Sequence, residues 1–211
     1  MLSRENLHDY QNRAVNFIVN EKRVFLMLDM GCGKTITTLT AVSDLLDSFS
    51  VHRVLIVAPS RVANSVWFNE SQQWQHTKHL NVVRATGNEK QRVSALMSKS
   101  EIICINRENI KWLVDYYGNK WPFDCVVIDE SSSFKNQSSQ RFKALKKVLP
   151  ATEYMALLTG TPSPNGLLDL WPQCYLIDYG QALGKTMTAY KQRFFESDYM
   201  GYKFAPRNGA D

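Results

Sequence analysis

At 211 residues, 44% hydrophobic and 21% charged, the chain is long enough for one large domain with a full core and short for two. No apolar run approaches the roughly 20 residues that span a bilayer, and Met1-Leu2-Ser3-Arg4-Glu5-Asn6 lacks the apolar stretch of a secretory signal. Cys32, Cys104, Cys125 and Cys174 are too scattered for a disulfide framework or a zinc site, so the expected setting is intracellular (cytoplasmic, or nuclear in a eukaryote), while a net charge of +5 and a pI near 9.0 suit a polyanionic partner without requiring one.

In chain order, a helix is predicted over 8–19, a strand over 24–28 and a helix over 34–49. A strand over 54–58 precedes a helix over 61–74, and a strand over 81–85 precedes a helix over 89–97. Strands over 102–105, 126–129 and 155–158 then alternate with helices over 108–116, 138–148 and 166–177. A last helix is predicted over 188–195, and 205–211 reads as a loop or linker. Several strands are apolar throughout, as strands covered on both faces are. Strand–helix alternation predicts an α/β fold with a mainly parallel sheet and helices on both faces. Between Lys135 and Lys147 stand five cations (Lys135, Arg141, Lys143, Lys146, Lys147) and no acid. With Phe142, Leu145 and Leu149 supplying an apolar stripe, these read as a solvated helix face.

Two clusters carry chemistry. The strand over 24–28 runs into Asp29-Met30-Gly31-Cys32-Gly33-Lys34-Thr35, and a helical pattern follows. Glycines let backbone N–H groups converge on phosphate oxygens, and the helix N-terminus adds partial positive charge. Lys34 is positioned to reach the β- and γ-phosphates of a nucleoside triphosphate, and the Thr35 hydroxyl to ligate Mg²⁺. The full phosphate-loop pattern wants glycine where Leu28 stands; a glycine turn with an exposed lysine is the bland alternative. Farther on, the apolar strand Cys125-Val126-Val127-Ile128 delivers Asp129-Glu130. Such a pair can cap a helix. Beside a phosphate loop, Asp129 suits the metal, partly through water, and Glu130 suits the base that deprotonates the attacking water. Cys32 reads as a small side chain filling the turn. His8, His52, His76 and His79 lack metal-ligand spacing, and Trp67, Trp74, Trp112, Trp121 and Trp171 read as core or interface anchors.

From about Leu7 to Phe195 the chain resembles the first motor domain of superfamily-two helicases and translocases, within them the Snf-type, chromatin-remodeller-like branch. Leu7-His8-Asp9-Tyr10-Gln11 resembles the adenine-recognition motif, and Asp29 to Thr35 resembles motif I. Val57-Ala58-Pro59-Ser60-Arg61 with Trp67 and Glu70 is similar to motif Ia. Asp129-Glu130-Ser131-Ser132-Ser133-Phe134-Lys135-Asn136 looks like motif II, and Leu158-Thr159-Gly160-Thr161-Pro162-Ser163-Pro164-Asn165 looks like motif III. The resemblance implies a RecA-like three-layer fold in which residues 1–195 form the ATP-binding motor domain and 196–211 a tail toward a second motor domain.

The same resemblance implies ATP and Mg²⁺ as cofactors, held by Gln11 at the adenine and by Met30, Gly31, Cys32, Gly33, Lys34 and Thr35 at the phosphates. Catalysis falls to Lys34, Asp129 and Glu130, with metal contacts from Thr35 and Asp129 and coupling through Thr159 and Thr161. It implies DNA as partner, duplex in preference to single-stranded, with backbone contacts by motif position from Ser60, Arg61, Asn106, Arg107 and Asn165. Ser131 and Ser132 stand where the branch has Ala-His, and that histidine helps couple hydrolysis to nucleic-acid binding. A second RecA-like domain, in cis or in trans, is expected to bring arginines that can contribute on the order of 10³–10⁵ in rate. After Phe195 the sequence runs only to Asp211, so the chain alone is expected to bind ATP and hydrolyse it slowly. A non-hydrolysing nucleotide- or nucleic-acid-binding module and one subunit of a split motor are the alternatives.

Overall fold

A computed structural model describes residues 1–197 and 204–207. Six strands, β1 (Arg23–Met27), β2 (Val54–Ala58), β3 (Val82–Arg84), β4 (Ile102–Asn106), β5 (Cys125–Asp129) and β6 (Tyr154–Thr159), form one sheet in the order β1-β6-β5-β2-β4-β3. Every pairing in it is parallel. The helices are α1 (Asp9–Glu21), α2 (Lys34–Asp47), α3 (Trp67–Gln73), α4 (Glu89–Leu96), α5 (Ile110–Tyr117), α6 (Gln140–Val148), α7 (Leu170–Asp178) and α8 (Met187–Phe194).

Strand side chains alternate between the two faces, and the core divides accordingly. Leu55, Val57, Ile103, Ile105, Val126, Ile128, Met155 and Leu157 pack with α4 to α7. Val24, Leu26, Val54, Ile56, Ile102, Cys104, Cys125, Val127 and Leu158 pack with α1, α2 and Trp67 of α3. Both faces are dry, which is why these strands carry apolar residues at every position and show no alternation in sequence. The α/β fold with a parallel sheet is the one the sequence predicts.

Two predicted elements differ. The helix over 61–74 is broken by a π-helical turn at Val62–Val66 before α3 begins. The Asn64 carbonyl accepts a hydrogen bond from Arg84 Nη1 at 2.9 Å, and Asn64 Oδ1 accepts one from Thr86. An outside donor on that carbonyl competes with the helical ladder, a recognised origin of such bulges. The segment predicted as a loop at 205–211 begins in a strand: β8 (Phe204–Pro206) pairs antiparallel with β7 (Phe195–Ser197). Pro206 lies at the end of this two-stranded ribbon, where no ladder donor is needed. Arg207 closes it, its N–H donating to the Phe194 carbonyl and its Nε to that of Phe195; positions 208–211 lie outside the described residues.

Candidate nucleotide site

Because all six strands run the same way, the loops that follow them gather at one edge of the sheet, where ligands sit in folds of this type. The phosphate-loop candidate leaves β1, the Thr159 loop leaves β6 and the acidic pair ends β5. Ser60 and Arg61 follow β2, and Asn106 and Arg107 stand at the end of β4. Strand order therefore ranks them as Lys34, Thr159, Asp129, Arg61, Arg107, with the acidic pair in the middle.

Register sets the heights. Leu26 is level with Leu158, and Leu158 with Asp129. Two interstrand spacings, about 9–10 Å, separate the tip of β1 from Asp129. Alternation also places Asp129 on the face of Val127, the side that carries α2 and α3. The Gly31–Thr35 loop opens α2, so Lys34 and the Asp129 carboxylate share an edge and a face.

Gly31 and Gly33 have φ of 82° and 70°, which only glycine adopts cheaply. A Cβ on Gly33 would also collide with the Gln11 amide nitrogen. Lys34 Nζ donates to the carbonyls of Leu28 at 2.8 Å and Asp29 at 3.0 Å, holding the ammonium inside its own loop. Thr35 sits in the first turn of α2, and the Met30 side chain is exposed. Gln11 is buried beneath this loop: its Nε2 donates to the Cys32 carbonyl at 3.3 Å and its Oε1 accepts from the His8 N–H at 2.8 Å. Tyr10 Oη donates to the same Cys32 carbonyl at 3.2 Å. Gly160 packs against the loop from β6; a Cβ there would lie 3.3 Å from the Leu28 carbonyl oxygen.

Asp129 is 8% exposed. Burial pushes its carboxyl above the ordinary range, and a hydrogen bond from Trp67 is the largest opposing influence. Repulsion from Glu130 raises it further, while the Glu130 N–H and the Lys34 charge lower it. Trp67 Nε1 donates to Asp129 Oδ2 at 3.1 Å from a fully buried indole. By sequence Trp67 reads as a core or interface anchor; the signal for its second role is that a buried indole N–H needs an acceptor. Glu130 holds a left-handed backbone, φ 54° and ψ 58°, a conformation that costs a non-glycine residue about 1 kcal/mol or more and clusters at functional sites.

Thr159 is fully buried, and its hydroxyl accepts from the Thr161 N–H at 3.1 Å, shaping the loop that carries Thr161 outward. The Asn165 N–H donates to Asp169 Oδ2 at 2.9 Å. The nucleic-acid candidates differ among themselves. Ser60 and Arg61 are exposed. Arg107 and Asn106 both bind Glu108, at 3.1 Å and 3.0 Å, and these bonds hold the Glu108 carboxyl below its ordinary range although burial opposes them. Of the basic run, Lys135 pairs with Asp169 at 3.5 Å and Lys146 lies over the Tyr175 ring at 4.5 Å.

Residues 10–194 match the family described as SNF2-related domain. The chain is 38% identical over 194 residues to a putative protein p41 of Acyrthosiphon pisum secondary endosymbiont phage 1, covering 89% of this chain and 42% of that one. It is 35% identical over 176 residues to an uncharacterized ATP-dependent helicase of Mycoplasma genitalium, covering 79% of this chain and 16% of the helicase. The Sulfolobus solfataricus SWI2/SNF2 ATPase core in complex with dsDNA superposes with a TM-score of 0.76 at 26% identity, over 90% of this chain and 39% of that structure. The chain thus spans less than half the length of each of these relatives. With the family match running through nearly all of its described residues and its sheet that of a RecA-like motor, the chain belongs to the SNF2-related domain family.

Proposed function

We propose that the chain is the ATP-binding half of a DNA-dependent ATPase of helicase or translocase type. The observation that supports this most is the convergence of the Gly31–Thr35 loop and the Asp129 carboxylate on one edge and one face of the sheet, with Glu130 next in the chain. In this reading the N–H groups of residues 30–34 and the Lys34 ammonium, released from the Leu28 and Asp29 carbonyls, take the phosphates of ATP. The donor set fits Mg²⁺, a hard cation that prefers oxygen ligands and retains waters: the Thr35 hydroxyl and the Asp129 carboxylate would hold it, and when bound it would neutralise charge on the transferring phosphoryl group. Glu130 orients the attacking water and takes its proton. Gln11 reads the adenine edge by exchanging its 3.3 Å bond to Cys32. Thr159 and Thr161 sense the γ-phosphate beside the acidic pair.

Duplex DNA then lies over the β2, β4 and β6 loops, contacted through its phosphates by Ser60, Arg61, Asn106, Arg107 and Asn165. Residues 1–195 are the motor half and 196–211 lead toward a second RecA-like domain, in cis or in trans, whose arginines complete the site. The isolated chain therefore binds Mg-ATP and turns it over slowly.

The test is equilibrium binding of a fluorescent ATP analogue, alongside ATPase assays with and without duplex DNA. Lys34→Ala is expected to weaken nucleotide binding by at least about tenfold with unfolding temperature preserved, since the lysine touches only two carbonyls of its own loop. Full affinity in that variant overturns the phosphate assignment. Fast turnover by the chain alone overturns the requirement for a second domain, and nucleotide binding with no turnover under any condition favours a non-hydrolysing module.

A further inference from the structure

Ser131 and Gln173 are both fully buried, and neither has a role in the reading above. Ser131 directly follows Glu130, and its Oγ donates to Gln173 Oε1 at 2.8 Å. The Gln173 amide nitrogen uses both of its hydrogens, donating to the Pro162 carbonyl at 2.6 Å and to the Asp169 carbonyl at 2.9 Å. Gln173 belongs to the first turns of α7, which packs against β1 and β6. One side chain therefore joins the loop after the acidic pair, 42 residues away, to the loop after Thr159 and the start of α7 into which that loop runs.

A buried amide is costly unless every end is partnered, and an apolar side chain would fill the same volume without that risk. What the amide adds is register. Ser131 stands one residue from Glu130, and Pro162 one residue from Thr161. The Glu130 backbone is bent into a left-handed conformation that its surroundings must hold. A displacement of Thr161 pulls on Pro162, and through the Gln173 amide it pulls on Ser131 and Glu130.

We propose that Gln173 is a positioning residue that locks the Glu130 loop to the Thr161 loop, so that the two shift as one unit during ATP turnover; this rests on the ATPase reading above. Gln173 touches no nucleotide. Its effect falls on the placement of the base and not on the phosphate loop, which hangs from β1.

The experiment is steady-state ATP hydrolysis by the 211-residue chain with duplex DNA, taken as turnover above a Glu130→Gln background. Gln173→Leu is expected to lower kcat about tenfold while KM for ATP stays within about twofold. Ser131→Ala lowers kcat less, and the double variant is no worse than Gln173→Leu, because both cut one network. Gln173→Glu keeps an acceptor for Ser131 but sets a carboxylate oxygen against two carbonyls. Its kcat relative to the parent's at the same pH should recover as pH falls and the acid regains a proton to donate, because groups that titrate in both chains, Asp129 among them, cancel in the ratio. Unchanged kcat in Gln173→Leu, a rise in KM alone, additive losses, or a Gln173→Glu to parent kcat ratio that does not change with pH each overturn the proposal while parental turnover leaves the ATPase reading intact. A parent chain with no turnover overturns that reading itself. If Gln173→Leu fails to fold by thermal unfolding, Ser131→Ala, which removes a single hydroxyl, carries the same kcat-against-KM criterion.

Discussion

Replacing Trp67 with phenylalanine removes the N–H that Asp129 Oδ2 accepts at 3.1 Å and keeps an aromatic ring in the core. The carboxyl is 8% exposed, so little solvent is present to substitute for the lost donor. A hydrogen bond to a charged group contributes about 1.5–3 kcal/mol. At 1.36 kcal/mol per pKa unit, its loss moves the Asp129 carboxyl up by about 1–2 units from a position that burial has already raised. The sign follows from the raised value. The folded state favours the protonated acid, so the stability that this group contributes is complete below the ordinary carboxylate range and is lost as pH rises through the folded value. On the proposed function magnesium needs the ionised form, so Mg²⁺-dependent nucleotide binding is expected to run the opposite way and weaken as pH falls. In Trp67→Phe the midpoint of that weakening should move upward by about 1–2 pH units, while Mg²⁺-independent binding to the phosphate loop holds. The assay is fluorescence titration of an ATP analogue with Mg²⁺ or EDTA, followed as pH is lowered from neutrality. Coincident midpoints for the variant and the parent refute the reasoning, and with it the role of the indole in setting the charge of Asp129.

Glu108→Gln should free Arg107 from its 3.1 Å ion pair; DNA binding is expected to tighten and the log–log salt slope to steepen by about one phosphate contact. An unchanged slope in a salt titration removes Arg107 from the contact set. Gly160→Ala introduces a methyl group 3.3 Å from the Leu28 carbonyl oxygen; the displaced loop should cost about 1 kcal/mol, read as weaker ATP-analogue binding out of proportion to any change in unfolding temperature.

Much of this was legible in local sequence. The apolar runs at 54–58 and 126–129 mark strands covered on both faces, and Gly31 and Gly33 mark the tight turn from β1 into α2 because positive φ is a requirement of those few residues alone. What escaped depends on partners far along the chain. The π-turn at Val62–Val66 arises where Arg84 takes the Asn64 carbonyl. Trp67 finds Asp129 only once β5 lies beside β2. Gln173 reads as one more polar residue in a helix until Ser131 and Pro162 are brought to it. The engagement of Arg107 by Glu108 is locally legible, since adjacent opposite charges can pair, but motif position singles out the cation alone. The short β7–β8 ribbon was hidden by a proline that normally announces a loop.

On the proposed function, the insertion of β5 between β6 and β2 shortens the path from nucleotide to DNA. A message passing from fuel to track need not cross a domain; on the proposed reading it travels from one strand tip to the next, a step of about 5 Å. Coupling of that kind can be stiff with few participants, and it leaves the far ends of the strands at liberty to vary without disturbing the conversation at the rim.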